Sequence, residues 1–385
     1  MRTIAINAVN SNSGGGKSIR DSYIKLLNEQ PLKDRYVLFV AKEASLPPVT
    51  NPNIEIMKLP TFYSRAIAVP LVYRYLLGRI LDRIGANVVL NFGNLIIRTE
   101  AKQIAVFHWP YGVDVHKKVW MGMTPTDWLT RKTKLWFLER YFREADIVVA
   151  QTEFIRRRLI EKYELADVRI IGNTVTLTDN ADTRADLVLP EGVRLVYPCV
   201  YYPHKNLEIL LDVGERIKAR NLPYRIVTTV NSDGSVAARR FVKNIVERGL
   251  GETIVNIGQV QPAHMPGLYH QCDALLMPSL LESFSIVYPE AMHYGLPVFT
   301  SDMWFAHSVC GDAAKYFDPF DADDILNSVQ EVMSDDASKR TLINAGHRHL
   351  SSFPSWPDNF ALYQAIIREL LGDPDHGDRY ERKHI

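Results

Sequence analysis

The chain has 385 residues, 46 % hydrophobic, 10 % aromatic and 23 % charged, which is more than one hydrophobic core usually accommodates and excludes a disordered or collagen-like chain. Its 45 Lys and Arg against 44 Asp and Glu give a formal net charge of +1, which removes the global pull toward nucleic acid expected of a basic binder. Three widely spaced cysteines, Cys199, Cys272 and Cys310, carry no metal-ligand rhythm and read as those of a reducing, cytoplasmic protein.

The N-terminal residues lack the long apolar region of a signal peptide. The longest stretch without acids, Lys or Arg, 253–272, holds Gln259, Gln261, Pro262 and Pro266, so no membrane-spanning helix is expected there. Short runs rich in Val and Ile recur at 3–9, 36–41, 54–59, 87–92, 103–108, 146–151 and 168–172, then at 194–200, 225–230, 253–258, 273–278, 297–301 and 315–317. Amphipathic stretches separate them, and strands alternating with helices predict parallel sheets covered on both faces. The segment 173–192, dominated by Thr, Asp, Asn and Ala, reads as a linker. The expectation is an α/β chain of two doubly wound Rossmann-like domains, 1–175 and 190–355, facing a central cleft. Ligands would bind at the carboxyl ends of the strands. A polar tail, 372–385, is expected to fray.

After the first strand, Ser13-Gly14-Gly15-Gly16-Lys17-Ser18 opens a helix, and Gly15 and Gly16 suit close backbone approach to a phosphate. A Walker A loop would require glycine at position 11, which is Ser11. The plain alternative is a strand-to-helix turn with no ligand. His108 ends a strand before Trp109-Pro110-Tyr111 and sits where a cleft residue belongs, although a lone His is as often a structural hydrogen bonder. In 115–143 seven cations face two acids, interleaved with Trp120, Trp128 and Trp136. Basic residues with Trp on a helix make this stretch a candidate surface for an anionic membrane, and 62–84, apolar with Arg65, Arg74, Arg79 and Arg83, adds to it. The competing reading places Trp136, Phe137 and Tyr141 in an ordinary core.

The most informative string is 272–302. A buried strand enters a Ser-rich loop with Glu282, Ser283, Phe284, Ser285 and Ile286, and 286–294 reads as a short helix bearing Glu290 and stopped by Gly295-Leu296-Pro297. Backbone N–H groups at 284–286 would suit a diphosphate. One carboxylate could take a ribose diol and the other a neighbouring sugar. Two solvated surface acids are the bland alternative. Asp321-Ala322-Asp323 matches the DxD metal motif formally, but helix capping explains it more cheaply, so no metal site is expected.

Asp273-Ala274, Pro278-Ser279, Glu282-Ser283-Phe284, Glu290-Ala291-Met292, Gly295-Leu296-Pro297 and Ser301-Asp302 together resemble the retaining glycosyltransferases of family 4, which have the GT-B fold. The resemblance extends through 311–319, Tyr201-Tyr202-Pro203-His204-Lys205-Asn206 and Thr152-Glu153-Phe154. It implies a metal-independent hexosyltransferase without cofactor, moving a sugar from a UDP- or GDP-sugar donor to a glycan or lipid-linked oligosaccharide acceptor, in O-antigen or capsule synthesis. It further implies an acceptor-binding first domain, a donor-binding second domain, and a helix at 356–371 crossing back to the first. Attachment to the inner face of the cytoplasmic membrane fits such an acceptor. By position, Glu290 would hold the ribose, Glu282 the donor sugar, and Lys205 the leaving diphosphate, with Ser283, Phe284, Ser285, Ile286, Gly15 and Gly16 lining the donor. His108, Glu282 and Lys205 would serve catalysis. The pattern is broken at Cys199-Val200, where many members carry Gly-Arg. That loss keeps open a non-catalytic binding subunit, and a GT-B epimerase is the enzymatic alternative.

Overall fold

The computed structural model describes residues 1–12, 14–65, 68–174 and 189–373; most of the expected linker and tail lies outside them. Two compact units result. The first gathers Met1–Asp114, Thr124–Thr174 and the segment from Pro354 onward, and the second gathers Val115–Met123 with the chain up to Phe353.

The first unit is built on a parallel sheet of seven strands: β1 Thr3–Asn7, β2 Arg35–Ala41, β3 Ile54–Leu59, β4 Ala86–Asn91, β5 Lys102–Val106, β6 Ile147–Ala150 and β7 Val168–Ile170. Their spatial order is β3-β2-β1-β4-β5-β6-β7. Successive side chains point to opposite faces of a strand, so each continuous apolar run supplies two cores. Ile4, Ile6, Leu38 and Val88 pack on one side with the helices Gly14–Asn28 and Trp356–Leu370. Ala5, Val37, Phe39 and Val89 pack on the other, against Val72, Tyr73, Leu77 and Phe137.

The helix Trp356–Leu370 belongs to this first unit. Ser355 caps it by accepting from the Asp358 N–H, Phe360, Tyr363, Ile366 and Ile367 enter the sheet-side core, and Asn359 Nδ2 donates 2.6 Å bonds to Gly172 O and Thr174 Oγ1.

The second unit carries β8 Val193–Tyr197, β9 Tyr224–Thr228, β10 Ile254–Asn256, β11 Ala274–Met277, β12 Val298–Ser301 and β13 Lys315–Phe317, ordered β10-β9-β8-β11-β12-β13 and all parallel. In both sheets the strand order reverses once, between β1 and β4 and between β8 and β11. Loops leaving the two strands at such a point diverge to opposite faces and open a crevice at the strands' carboxyl ends.

One boundary differs from the sequence expectation. Residues 115–123 leave the first unit: Val119, on the short helix Lys117–Met121, is fully buried, Lys118 Nζ lies 3.8 Å over the Phe320 ring, and His116 packs 4.7 Å from that ring. The basic stretch 115–143 is therefore divided between the two units. Its second part, the helix Pro125–Tyr141, is in the first unit.

Candidate functional site

In the second unit the crevice between β8 and β11 holds the strongest constellation. The chain leaves β8 through the exposed Val200 and a tight 3-10 turn, Pro203–Lys205, after which Asn206 adopts φ +54°. The main helix begins only at Glu208. Lys205 thus ends a turn, and the left-handed Asn206 separates it from the helix that follows. Lys205 Nζ donates to Glu282 Oε1 at 2.6 Å, and each side chain is about one-eighth exposed, at 13 % and 12 %. The Ser279 hydroxyl donates to the same oxygen at 2.8 Å, and it meets the Tyr197 hydroxyl at 2.7 Å. Tyr197 OH also donates to Lys205 O at 3.0 Å. Tyr197 ends β8 and Ser279 lies two residues beyond the end of the adjacent β11, so the sheet itself fixes the pair. No donor among the described residues meets Glu282 Oε2.

Beyond Glu282 the loop turns sharply. Phe284 is buried and packs edge-on to Phe353, so only its backbone is available to a ligand. Ser285 holds φ +59°, an uncommon conformation for a residue with a side chain, of the kind that clusters at functional sites. Ile286 caps the short helix Val287–His293, which Gly295 ends at φ +69°. Ser283 is partly buried on this loop. Glu290 lies on that helix, its Oε2 accepting 2.7 Å from the Tyr269 hydroxyl. Burial pushes the Glu290 carboxyl up to about 7, and the Tyr269 bond only partly opposes it. Such a carboxyl exchanges its proton near neutrality and is poised to accept hydroxyl donors.

The first unit has its own cluster at the β1/β4 crevice. Gly15 faces open space, whereas a Cβ on Gly16 would come 3.3 Å from His108 Nε2, so glycine there permits close approach. Asn94, at φ +61°, accepts from the His108 N–H at 2.6 Å and holds Nε2 at 3.2 Å. His108 Nδ1 is buried without a partner among the described residues. Burial, then the charge of Lys134, pushes the imidazole down to about 4, so it is neutral at physiological pH. Lys17, beside the Gly-rich turn, pairs with Asp21 at 2.6 Å.

The structure thus joins Lys205 with Glu282 and Gly16 with His108, each within its own unit. Sequence reasoning missed Tyr197, Tyr269, Asn94 and Lys134. Ser279 lay inside the recognised string but received no role. Asp321 accepts from the N–H groups of Asp323 and Asp324 as a helix cap, and Asp323 pairs with Arg216 and Arg220. Among the described residues no cluster of three or more potential metal ligands occurs.

The surface expectations divide similarly. On the helix Pro125–Tyr141, Phe137 and Leu138 are buried, but Trp136 is 53 % exposed, with Trp128 at 44 % and Leu129 at 61 %. A core placement of Trp136 is therefore excluded. No helix among the described residues is long and apolar enough to cross a membrane.

Residues 180–349 match the family described as glycosyl transferases group 1. Sucrose-phosphate synthase from Thermosynechococcus elongatus superposes with a TM-score of 0.73 at 17 % identity, covering 97 % of this chain and all of that one. HepE from Anabaena, solved with UDP and glucose, gives a TM-score of 0.66 at 14 % identity over 96 % of this chain and all of that one. The O-antigen chain mannosyltransferase B of Escherichia coli is 32 % identical over 113 residues, 29 % of either protein. The chain matches less than half the length of this and the next two such relatives. The fold is GT-B, two Rossmann-like units each built on a parallel sheet. The stretch that matches the group 1 glycosyl transferases, 180–349, falls within the second unit.

Proposed function

We propose that this chain is a retaining, metal-independent hexosyltransferase, moving a sugar from a UDP- or GDP-sugar to a hydroxyl of a glycan or lipid-linked oligosaccharide in bacterial surface polysaccharide synthesis. The Lys205–Glu282 pair at the β8/β11 crevice carries this reading. A departing nucleoside diphosphate gains negative charge, and a fixed ammonium in a largely buried site stabilises it. Glu282 Oε1 holds that ammonium in place while Oε2 remains for a donor-sugar hydroxyl. Glu290 takes the ribose hydroxyls, and the backbone of 283–286 adds N–H donors. In the first unit, His108 is neutral and lies beside Gly16. The UDP bound by HepE and the O-antigen assignment of the Escherichia coli relative support the donor and the pathway class. The exposed Trp128, Leu129 and Trp136 among Lys132 and Arg140 support attachment to an anionic membrane.

The test is a thermal-shift screen of UDP-, GDP-, ADP- and dTDP-sugars on the wild type and on Glu290→Ala, since a ligand selective for the folded state raises its stability by mass action. One base should shift melting, and the shift should vanish in the variant. Transfer to an acceptor should persist in EDTA, and the product's anomeric configuration by NMR should match the donor's. Absence of any shift in the wild type would refute the donor site.

A further inference from the structure

Two demands fall on Lys205 in a transferase: its ammonium pairs with Glu282 Oε1 at 2.6 Å, and the leaving diphosphate needs the same charge. As the ammonium turns to the diphosphate, the Glu282 side chain, only 12 % exposed, loses its ionic partner, which is costly away from water. The other donor to that oxygen then matters, and it stands in a row of oxygens. Lys205 O, Tyr197 OH, Ser279 Oγ and Glu282 Oε1 follow one another at 3.0, 2.7 and 2.8 Å. Each hydroxyl has one proton, so two protons serve three contacts. Tyr197 and Ser279 are fully buried, and burial holds the Tyr197 phenol well above its ordinary pKa, so both protons stay. The 2.7 Å contact between the two hydroxyls is a hydrogen bond and takes one proton, which leaves one for the two ends of the row. Either Tyr197 donates to Ser279 and Ser279 to Glu282, or Ser279 donates to Tyr197 and Tyr197 to Lys205 O. Rotation of the two hydroxyls interchanges these states, and no proton leaves its own oxygen.

We propose that Ser279 and Tyr197 are positioning residues for sugar transfer, a hydroxyl relay that moves one hydrogen bond from Lys205 O to Glu282 Oε1 when the ammonium turns to the leaving group. This rests on the roles proposed above for Lys205 and Glu282. Without donor, the ammonium satisfies Oε1, and Tyr197 holds the Lys205 carbonyl. With the ammonium drawn off, the carboxylate takes the Ser279 proton, and Tyr197, donating to Ser279, polarises that hydroxyl and strengthens its bond. The turn before Lys205 keeps its place throughout, because the Leu280 N–H donates to His204 O at 2.7 Å. Glu282 so keeps its orientation toward the sugar while Lys205 serves the diphosphate.

The experiment is a double-variant cycle on the full chain, with Ser279→Ala, Tyr197→Phe and the two combined. It reads nucleotide release from UDP-glucose or GDP-mannose with water as acceptor, and UDP and GDP affinity by calorimetry. Ser279→Ala should lower kcat about tenfold or more, the scale of one hydrogen bond to a charged group, and Tyr197→Phe about fivefold. The double variant should fall no more than about twofold below Ser279→Ala, since Tyr197 acts through Ser279. Donor KM and nucleotide affinity should change by less than about twofold throughout, because the relay engages as the leaving group departs. Wild-type kcat in Ser279→Ala would overturn the proposal, and so would losses that multiply in the double variant. A matching loss of nucleotide affinity would also overturn it, by assigning the two hydroxyls to the fold of the site alone. The transferase reading fails separately: wild-type protein would then bind neither UDP nor GDP. Melting of the same four proteins would still test the relay, which requires losses smaller in combination than their sum.

Discussion

Lys205 and Glu282 lie 77 positions apart in the chain and meet at 2.6 Å because β8 and β11 are neighbours in the sheet. Lys205→Met should reduce sugar transfer by about 100-fold or more, as for other lost donors to a developing charge. It also strands the Glu282 carboxylate. Because both side chains retain some exposure, we expect a loss of about 2 kcal/mol, below the 3–5 of fully buried pairs. Urea denaturation checks this, and Lys205→Met combined with Glu282→Gln should recover about half of the stability without recovering activity.

Glu290 predicts a pH dependence of stability. Its folded-state carboxyl titrates at about 7, above the 4.5 of an exposed Glu, so the folded protein binds more protons than the unfolded chain between those values. Its contribution is complete below about pH 4.5 and lost as pH rises through 7. Denaturant midpoints at pH 5 and pH 7.5 should therefore differ less in Glu290→Gln than in the wild type. An unchanged pH profile in the variant would show that Glu290 titrates normally.

The same features show what the sequence made legible. Each of the thirteen described strands lies at one of the short apolar runs, because a parallel strand buried on both faces needs no alternation. Glu282 and Glu290 could be found because their loop and helix are contiguous in sequence. Tyr269 and Lys134 could not, since their importance comes from what tertiary packing places beside them. The departure of 115–123 was hidden for a related reason: Lys117–Met121 is too short to show periodicity, and it is placed by Phe320, some 200 residues later.

Trp128, Lys132 and Trp136 recur every four residues and share one face of their helix. Vesicles rich in phosphatidylglycerol should float the protein, and pure phosphatidylcholine vesicles should do so much less. Trp128→Ser with Trp136→Ser should abolish flotation, and Lys132→Gln should weaken it about fivefold, near 1 kcal/mol per basic residue, without altering the melting temperature by more than a degree or two. Equal flotation of the double variant would remove this face from membrane attachment.

Asn359 is 2 % exposed and donates to both Gly172 O and Thr174 Oγ1. Asn359→Ala should cost about 1–3 kcal/mol by leaving those acceptors buried without a partner. Hydrogen exchange should show the loss concentrated in Trp356–Leu370 and β7, with β8–β13 unaffected. A loss shared equally by both units would show that they unfold as one.

The place of that helix also bears on how the protein is made. Tyr23 packs against both Phe360 and Tyr363, and Arg2 pairs with Asp373 at 2.6 Å. On the ribosome, the first unit therefore emerges with one wall of its core absent and waits while the whole second unit is translated. The second unit, nearly continuous in sequence, is free to fold during that interval. A nascent chain stalled near residue 350 should expose the apolar groove that Phe360, Tyr363, Ile366 and Ile367 later fill, making it a natural client for a chaperone during the last seconds of synthesis.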